Sequence, residues 1–254
     1  MKTVAVLAVQ GAFIEHERML AKLGCACIEL RQAADLQKPF DALVLPGGES
    51  TAQAKMLREL GMLDALRSRI ESGMPVLGTC AGLILLAENV EEGIPAAGDP
   101  NGPVAAGATA PGAIGTLPIT VRRNAYGRQL GSFRTVAPCK GLASAKAASA
   151  LPVAGTTPDK AGAQANNKPK AKPANIESGN PAGIAGGDAP QRAIDIPMTF
   201  IRAPFIKEVH GDTQILAQID NRIVAVRNGN QIGVAFHPEL DTNPAIHRLL
   251  VSLI

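Results

Sequence analysis

Residues 1–90 alternate short apolar runs with segments of helical spacing, and few architectures accept that order. Residues 3–9 form a continuous, β-branched apolar run, the pattern of a strand buried on both faces. Residues 13–23 then repeat apolar side chains at helical intervals, with Phe13, Met19, Leu20 and Leu23 able to share a face before Gly24 stops the helix. Residues 25–30 and 41–45 read as further strands, 51–60 and 63–72 as helices, and 74–79 as a strand that runs straight into a helix over 81–89. Strand-helix alternation of this kind predicts an α/β fold, with a mostly parallel sheet flanked by helices.

The carboxyl-terminal part changes style. Residues 213–219, 222–227 and 231–236 read as strands, Asn228-Gly229 marks a hairpin between the last two, and residues 244–253 close with helical spacing. Two stretches differ from all of this. Residues 93–113 are almost entirely Gly, Ala and Pro; residues 136–193 are rich in Ala, Gly, Pro, Asn and Lys and contain no aromatic side chain. Such segments cannot offset their ordering entropy by burial. The expectation is one domain over residues 1–254, interrupted by flexible inserts at 93–113 and 136–193.

Composition narrows the function classes. Only 3% of the 254 residues are aromatic, with no Trp and a single Tyr, which is thin for a protein that stacks nucleic-acid bases on rings. A net charge of +3 does not call for a polyanionic partner. No apolar run approaches the ~20 residues of a membrane helix. The amino-terminal run is interrupted by Gln10 and followed by His16, Glu17 and Arg18, so it reads as a first strand rather than a leader. The four cysteines form no CxxC pair, which fits reduced thiols in a cytoplasmic protein; Cys25 and Cys27 read as core residues, and no cluster has metal-ligand spacing.

Gly78-Thr79-Cys80-Ala81-Gly82 is the sharpest local feature. Glycines on either side of a strand-to-helix turn permit a tight, strained elbow that pushes the central side chain out, and the helix starting at Ala81 favours thiolate at the sulfur. A nucleophilic Cys80 needs a base. Among four histidines, His237 follows an apolar strand, and Glu239, two residues on in an extended segment, projects to the same side. A carboxylate there would fix the imidazole tautomer and stabilise imidazolium. His16 reads as a helix-surface residue, and His210 and His247 as structural or solvated. In Leu45-Pro46-Gly47-Gly48-Glu49-Ser50-Thr51, two glycines between strand and helix either form a wall of the Cys80 site or precede an ordinary helix cap at Ser50 or Thr51. Neither a phosphate loop nor a dinucleotide fingerprint is present.

Several stretches together resemble one family. They are residues 8–12 (AVQGA), 45–51 (LPGGEST), 78–87 (GTCAGLILLA), 123–129 (RNAYGRQ), 200–204 (FIRAP) and 236–240 (FHPEL). The chain resembles the glutaminase subunits of pyridoxal 5′-phosphate synthase, within the class I, triad-type glutamine amidotransferases of flavodoxin-like fold. That resemblance implies hydrolysis of L-glutamine to glutamate and ammonia by a triad of Cys80, His237 and Glu239. It implies substrate contacts from Gly48, Glu49, Ser50, Arg123, Ile201 and Arg202, and an arginine can clamp the α-carboxylate in bidentate fashion. It also implies an oxyanion hole from backbone N–H groups of Gly48 and Ala81, and a place for Gln10 on the ammonia path between subunits. The implied partner is the synthase subunit of a hetero-oligomeric complex that makes the vitamin B6 cofactor, with no cofactor bound to this chain. Both low-complexity stretches depart from the family, whose connections there are much shorter. Three other readings are a glutaminase serving a different biosynthetic synthase, a cysteine hydrolase of the related peptidase/chaperone type, and an impaired amidotransferase-like binding module.

Overall fold

The computed structural model describes residues 1–91, 113–123, 132–142 and 193–254, together with the backbone of three two-residue strands. The chain opens with β1 (Thr3–Leu7), α1 (Phe13–Lys22), β2 (Ala26–Leu30), β3 (Ala42–Leu45), α2 (Ser50–Glu59), α3 (Leu63–Glu71) and β4 (Val76–Thr79). Then come α4 (Ala81–Leu86), β5 (Ala87–Glu91), the short β6 (Ile94–Pro95), β7 (Val104–Ala105) and β8 (Thr109–Ala110), and β9 (Leu117–Arg122). The last part holds β10 (Ser132–Cys139), β11 (Ile194–Ile201), β12 (Phe205–Val209), β13 (Gln214–Ile219), β14 (Arg222–Asn228), β15 (Gln231–Val234) and α5 (Ala245–Val251).

One sheet organises the fold. Its first half runs β2-β1-β3-β4-β15, all parallel, and it continues through β14, β12 and β9 by antiparallel pairings before β5 joins β9 in parallel. Every residue of β3 and β4 is buried, as expected of strands covered on both faces. The crossover from β1 places β2 on one side and β3 on the other, so the carboxyl ends of β1 and β3 border a topological switch point, where α/β sheets bind ligands.

Close packing above β4 depends on two glycines. A Cβ on Gly82 would overlap the Leu45 carbonyl, and one on Gly78 would lie 2.7 Å from the Gly82 carbonyl oxygen. α4 therefore sits directly on β3 and β4. Three phenylalanines gather beside the carboxyl end of β15. Phe133 stacks on Phe200 at 4.5 Å, and Phe200 meets Phe236 edge-on at 5.7 Å, tying the β10–β11 pair to the segment that carries His237.

Three sequence expectations need revision, and one turn escaped them. The helix expected over 81–89 ends at Leu86, and Ala87–Glu91 pairs as a strand with β9, because the β9 edge offers an apolar ladder at Leu117 and Val121. The last hairpin turns at Gly229 and Asn230, one residue later than expected, with Asn228 paired to Gln231 and Gly229 at φ 53°. A second tight turn passed unnoticed in the sequence: Asp220 and Asn221 both take positive φ between β13 and β14, as a two-residue hairpin loop demands. The expected insert at 136–193 starts too early, since residues 136–139 lie in β10 and pair with β11 down to Cys139 opposite Ile194. Residues 143–192, and 93–113 apart from Ala113 and the three short strands, lie outside the described residues.

Candidate active site

The site forms where four parallel strands end: Gln10 lies beyond β1, Gly48 beyond β3, Cys80 directly after β4 and His237 beyond β15. Register sets their height, for Gly78 pairs with both Leu45 and Gly233, and the Cys80 N–H donates to the Val234 carbonyl at 2.9 Å.

Cys80 has φ 47° and ψ −98°, a positive-φ conformation that is strained for a residue with a Cβ. The turn is held by the β4–β15 ladder below and the glycine-dependent contact of α4 above. Its sulfur lies 4.0 Å from the Ile201 carbonyl oxygen. α4 has only six residues, so the helix behind the sulfur is shorter than the sequence implied.

His237 is 7% exposed, and its backbone N–H is fixed by the Thr199 carbonyl at 2.8 Å. Its Nδ1 meets Glu239 Oε1 at 2.7 Å, and it shares the lining of one cavity with Cys80. Burial works against the imidazolium, but the neighbouring Cys80 side chain and the Glu239 carboxylate that accepts from its ring outweigh it and push His237 up to about 10. The Glu239 contact is made differently from the sequence expectation. Pro238–Leu240 is a 3-10 turn rather than an extended segment, and the turn swings the carboxylate back under its own neighbour's ring.

The glycine loop serves both roles weighed in the sequence. A Cβ on Gly47 would strike the His237 ring, and one on Gly48 would strike Gln10 Oε1, so both glycines let the loop close against the site. The helix cap is Glu49 itself, not Ser50 or Thr51: its carboxylate accepts the Thr51 and Ala52 N–H groups at 3.0 and 2.6 Å. Burial raises the Glu49 carboxyl, but those two N–H groups and the Arg123 guanidinium bring it below its usual range. Arg123 donates to Thr51 Oγ1 at 2.9 Å and lies 3.4 Å from Glu49 Oε1. Gln10 Oε1 accepts the Glu49 N–H at 2.8 Å.

These groups enclose a cavity of about 440 Å³, within the range of small-molecule sites. Gln10, Gly48, Glu49, Ser50, Cys80, Ala81 and His237 line it from the parallel strands, and Arg123, Ile201 and Arg202 from the antiparallel side. Glu239 stands behind His237, buried at 5% exposure. Residues 124–129 of the arginine-led stretch lie outside the described residues.

Sequence reasoning misplaced His16 and left His247 and His210 open between structural and solvated roles. His16, read as a helix-surface residue, and His247 are both completely buried, and His16 faces the second oxygen of Glu239. The signal was present: His16 lies three residues after Phe13 and four before Leu20, on the apolar face of α1. His210 is a structural residue whose Nε2 pairs with Thr120 Oγ1 at 2.9 Å.

Comparison with known proteins identifies the family. The pyridoxal 5′-phosphate synthase subunit PdxT of Desulfitobacterium hafniense strain DCB-2 is 41% identical over 99% of this chain and 92% of its own length. The protein of the same name from Methanocorpusculum labreanum is 39% identical over 99% of this chain and 97% of its own. A crystal structure of a glutamine amidotransferase superposes with a TM-score of 0.66 at 30% identity, covering 98% of this chain and 97% of that one. The PurLQS structure from Thermotoga maritima shares the fold, with a TM-score of 0.55 at 14% identity. With residues 6–152 and 191–254 matched, the chain belongs to the SNO glutamine amidotransferase family.

Proposed function

We propose that this glutaminase hydrolyses the side-chain amide of L-glutamine through Cys80, His237 and Glu239, and delivers the ammonia to the synthase subunit of a pyridoxal 5′-phosphate synthase. The observation that carries the reading is the line of side chains from the strained Cys80 turn through His237 to Glu239, opening on a cavity at the carboxyl ends of four parallel strands. The two relatives that bear the synthase-subunit name support the partner.

In this mechanism the Cys80 thiolate attacks the amide carbon, and backbone N–H groups of Gly48 and Ala81 hold the oxyanion. Glu239 stabilises the imidazolium of His237, which protonates the departing nitrogen; the carbon–nitrogen bond breaks and a glutamyl thioester remains. His237, now neutral, takes a proton from water as the oxygen attacks the thioester. Glutamate leaves and the thiolate–imidazolium pair is restored. One glutamine and one water give one glutamate and one ammonia. Gly48, Glu49 and Ser50 at one wall, and Arg123, Ile201 and Arg202 at the other, are the groups we assign to the amino-acid end of the substrate, and Gln10 to the ammonia path.

Ammonia release from L-glutamine, measured with and without the synthase subunit, tests the assignment. Cys80→Ala is expected to abolish it, and a glutamine-analogue alkylator is expected to label Cys80 in the unmutated chain. Full activity of Cys80→Ala would overturn the mechanism. Capture of a different synthase, and not this one, would overturn the partner.

A further inference from the structure

His16 and His247 form a buried pair outside the cavity, and the mechanism above uses neither. His16 Nδ1 lies 2.9 Å from His247 Nε2, while His16 Nε2 lies 3.2 Å from Thr79 Oγ1 and 3.4 Å from Glu239 Oε2. Glu239 Oε2 itself is buried and has no hydrogen bond of good geometry; His247 Nδ1 is likewise buried without a partner. The first oxygen of Glu239 is taken by His237, so the position of the second decides how firmly the carboxylate is held.

The proton arrangement follows from counting donors. Burial, then the neighbouring His247 and His237, keeps His16 well below its ordinary value, and burial lowers His247 to about 4. Both rings are therefore neutral near pH 7, with one N–H each. If His16 carried its proton on Nδ1, it would donate to His247. The His247 Nδ1–H would then be a buried donor with no acceptor, and a bare His16 nitrogen would face a carboxylate at 3.4 Å. Both features cost free energy. In the opposite arrangement His247 Nε2–H donates to His16 Nδ1, and His16 Nε2–H points to Thr79 Oγ1 and Glu239 Oε2. A bare nitrogen at His247 Nδ1 then lacks a partner, and Glu239 Oε2 has an N–H facing it at 3.4 Å in place of a lone pair.

We propose that His16, oriented by His247, is a positioning residue that presents an N–H to the second oxygen of Glu239 and so holds that carboxylate in line with His237. The inference rests on the triad reading and deepens it. Donors then run in one direction, from His247 to His16 to Glu239, which accepts His237 Nδ1–H on its other oxygen. The groups that face His16 are His247 from α5, Thr79 from β4, and Glu239 and His237 from the segment after β15.

The first test needs no substitution. Nitrogen-15 NMR of the full chain between pH 6 and 8 is expected to show His16 and His247 neutral, each protonated on Nε2. A proton on His16 Nδ1, or a charged His16, would overturn the proposal. The second test compares His16→Leu with His16→Gln, whose amide can still donate, in ammonia release with the synthase subunit present. His16→Leu is expected to lower kcat by about 10- to 100-fold, as sub-ångström loosening of a catalytic group does, with KM within about threefold and a lower titration midpoint for His237. His16→Gln is expected to recover much of that loss. A folded His16→Leu with unchanged kcat and an unmoved His237 midpoint would overturn the proposal; if it does not fold, the NMR tautomers and the Gln variant decide. Failure of the triad reading is a separate result, because it would appear as activity retained by Cys80→Ala.

Discussion

Replacing Glu239 by Gln keeps the side chain's size and removes its charge, at the point where the site depends on that charge most. In the unmutated chain His237 stays protonated up to about 10, against 6.5 for a free imidazole, although burial alone would lower it. At 1.36 kcal/mol per pH unit this is at most roughly 5 kcal/mol of preference for the imidazolium, shared between Glu239 and Cys80. A hydrogen bond to a charged group is worth about 1.5–3 kcal/mol, so losing the carboxylate should bring the His237 midpoint down by about 1–2 on the pH scale. The same loss in the transition state corresponds to roughly 10- to 150-fold in kcat. It reaches about 10⁴-fold if the amide also turns its NH₂ toward His237 and selects the wrong tautomer. The sign for stability follows from a raised folded value: the contribution is fully present below pH 6.5 and is lost as pH rises through about 10. The unmutated chain should therefore lose urea resistance between pH 7 and 10.5 more steeply than Glu239→Gln. The measurements are kcat and KM for ammonia release from pH 6 to 10.5 with the synthase subunit present, and urea midpoints at both ends of that range. If Glu239→Gln kept kcat within threefold and left the alkaline limb in place, the electrostatic account of His237 would be wrong.

Gly47→Ala places a methyl group on the His237 ring, 2.9 Å from Nδ1, and the ring cannot retreat because Glu239 holds that nitrogen at 2.7 Å. We expect kcat to fall by about 100-fold with the fold retained by circular dichroism, and an unchanged kcat would show that the loop yields instead. Because Cys139 pairs with Ile194, the chain leaves and re-enters the β10–β11 pair at one place, so a five-residue Gly/Ser loop in place of residues 143–192 should close the gap. Shortening fifty residues to five lowers the loop-closure cost by about 2 kcal/mol; we expect a urea midpoint at or above that of the full chain and unchanged ammonia release. A tenfold loss of activity would make residues 143–192 part of the site and end their reading as an insert.

What could be read from the sequence was what local sterics enforce. Cys80 stood out because its turn requires glycine at both 78 and 82, against the Gly82 and Leu45 carbonyls respectively, and no other residue leaves room for α4 on the sheet. The parallel strands stood out because residues 42–45 and 76–79 are buried on both faces and leave no polar alternation to confuse them. Where the decisive partner was distant, reading failed. Leu83 to Leu86 would prolong a helix through Ala87 by propensity alone, but the ladder to β9 at Leu117 and Val121 captures those residues as a strand. His16 looked like surface because a lone polar residue on a helix usually is, and its partner His247 is 231 positions away. The contact between Glu239 and His237 was expected for a reason that the fold does not use, since their spacing suits an extended segment and the chain instead makes a 3-10 turn. The two cases share a cause. Both carboxylate oxygens of Glu239 face histidines, one two residues off and one on α1, and only the near one leaves a trace in local spacing. The apolar face of α1 is the one place where the other left a mark: a histidine kept between Phe13 and Leu20 at core spacing loses its hydration on folding, and its ring nitrogens must then find partners inside the protein.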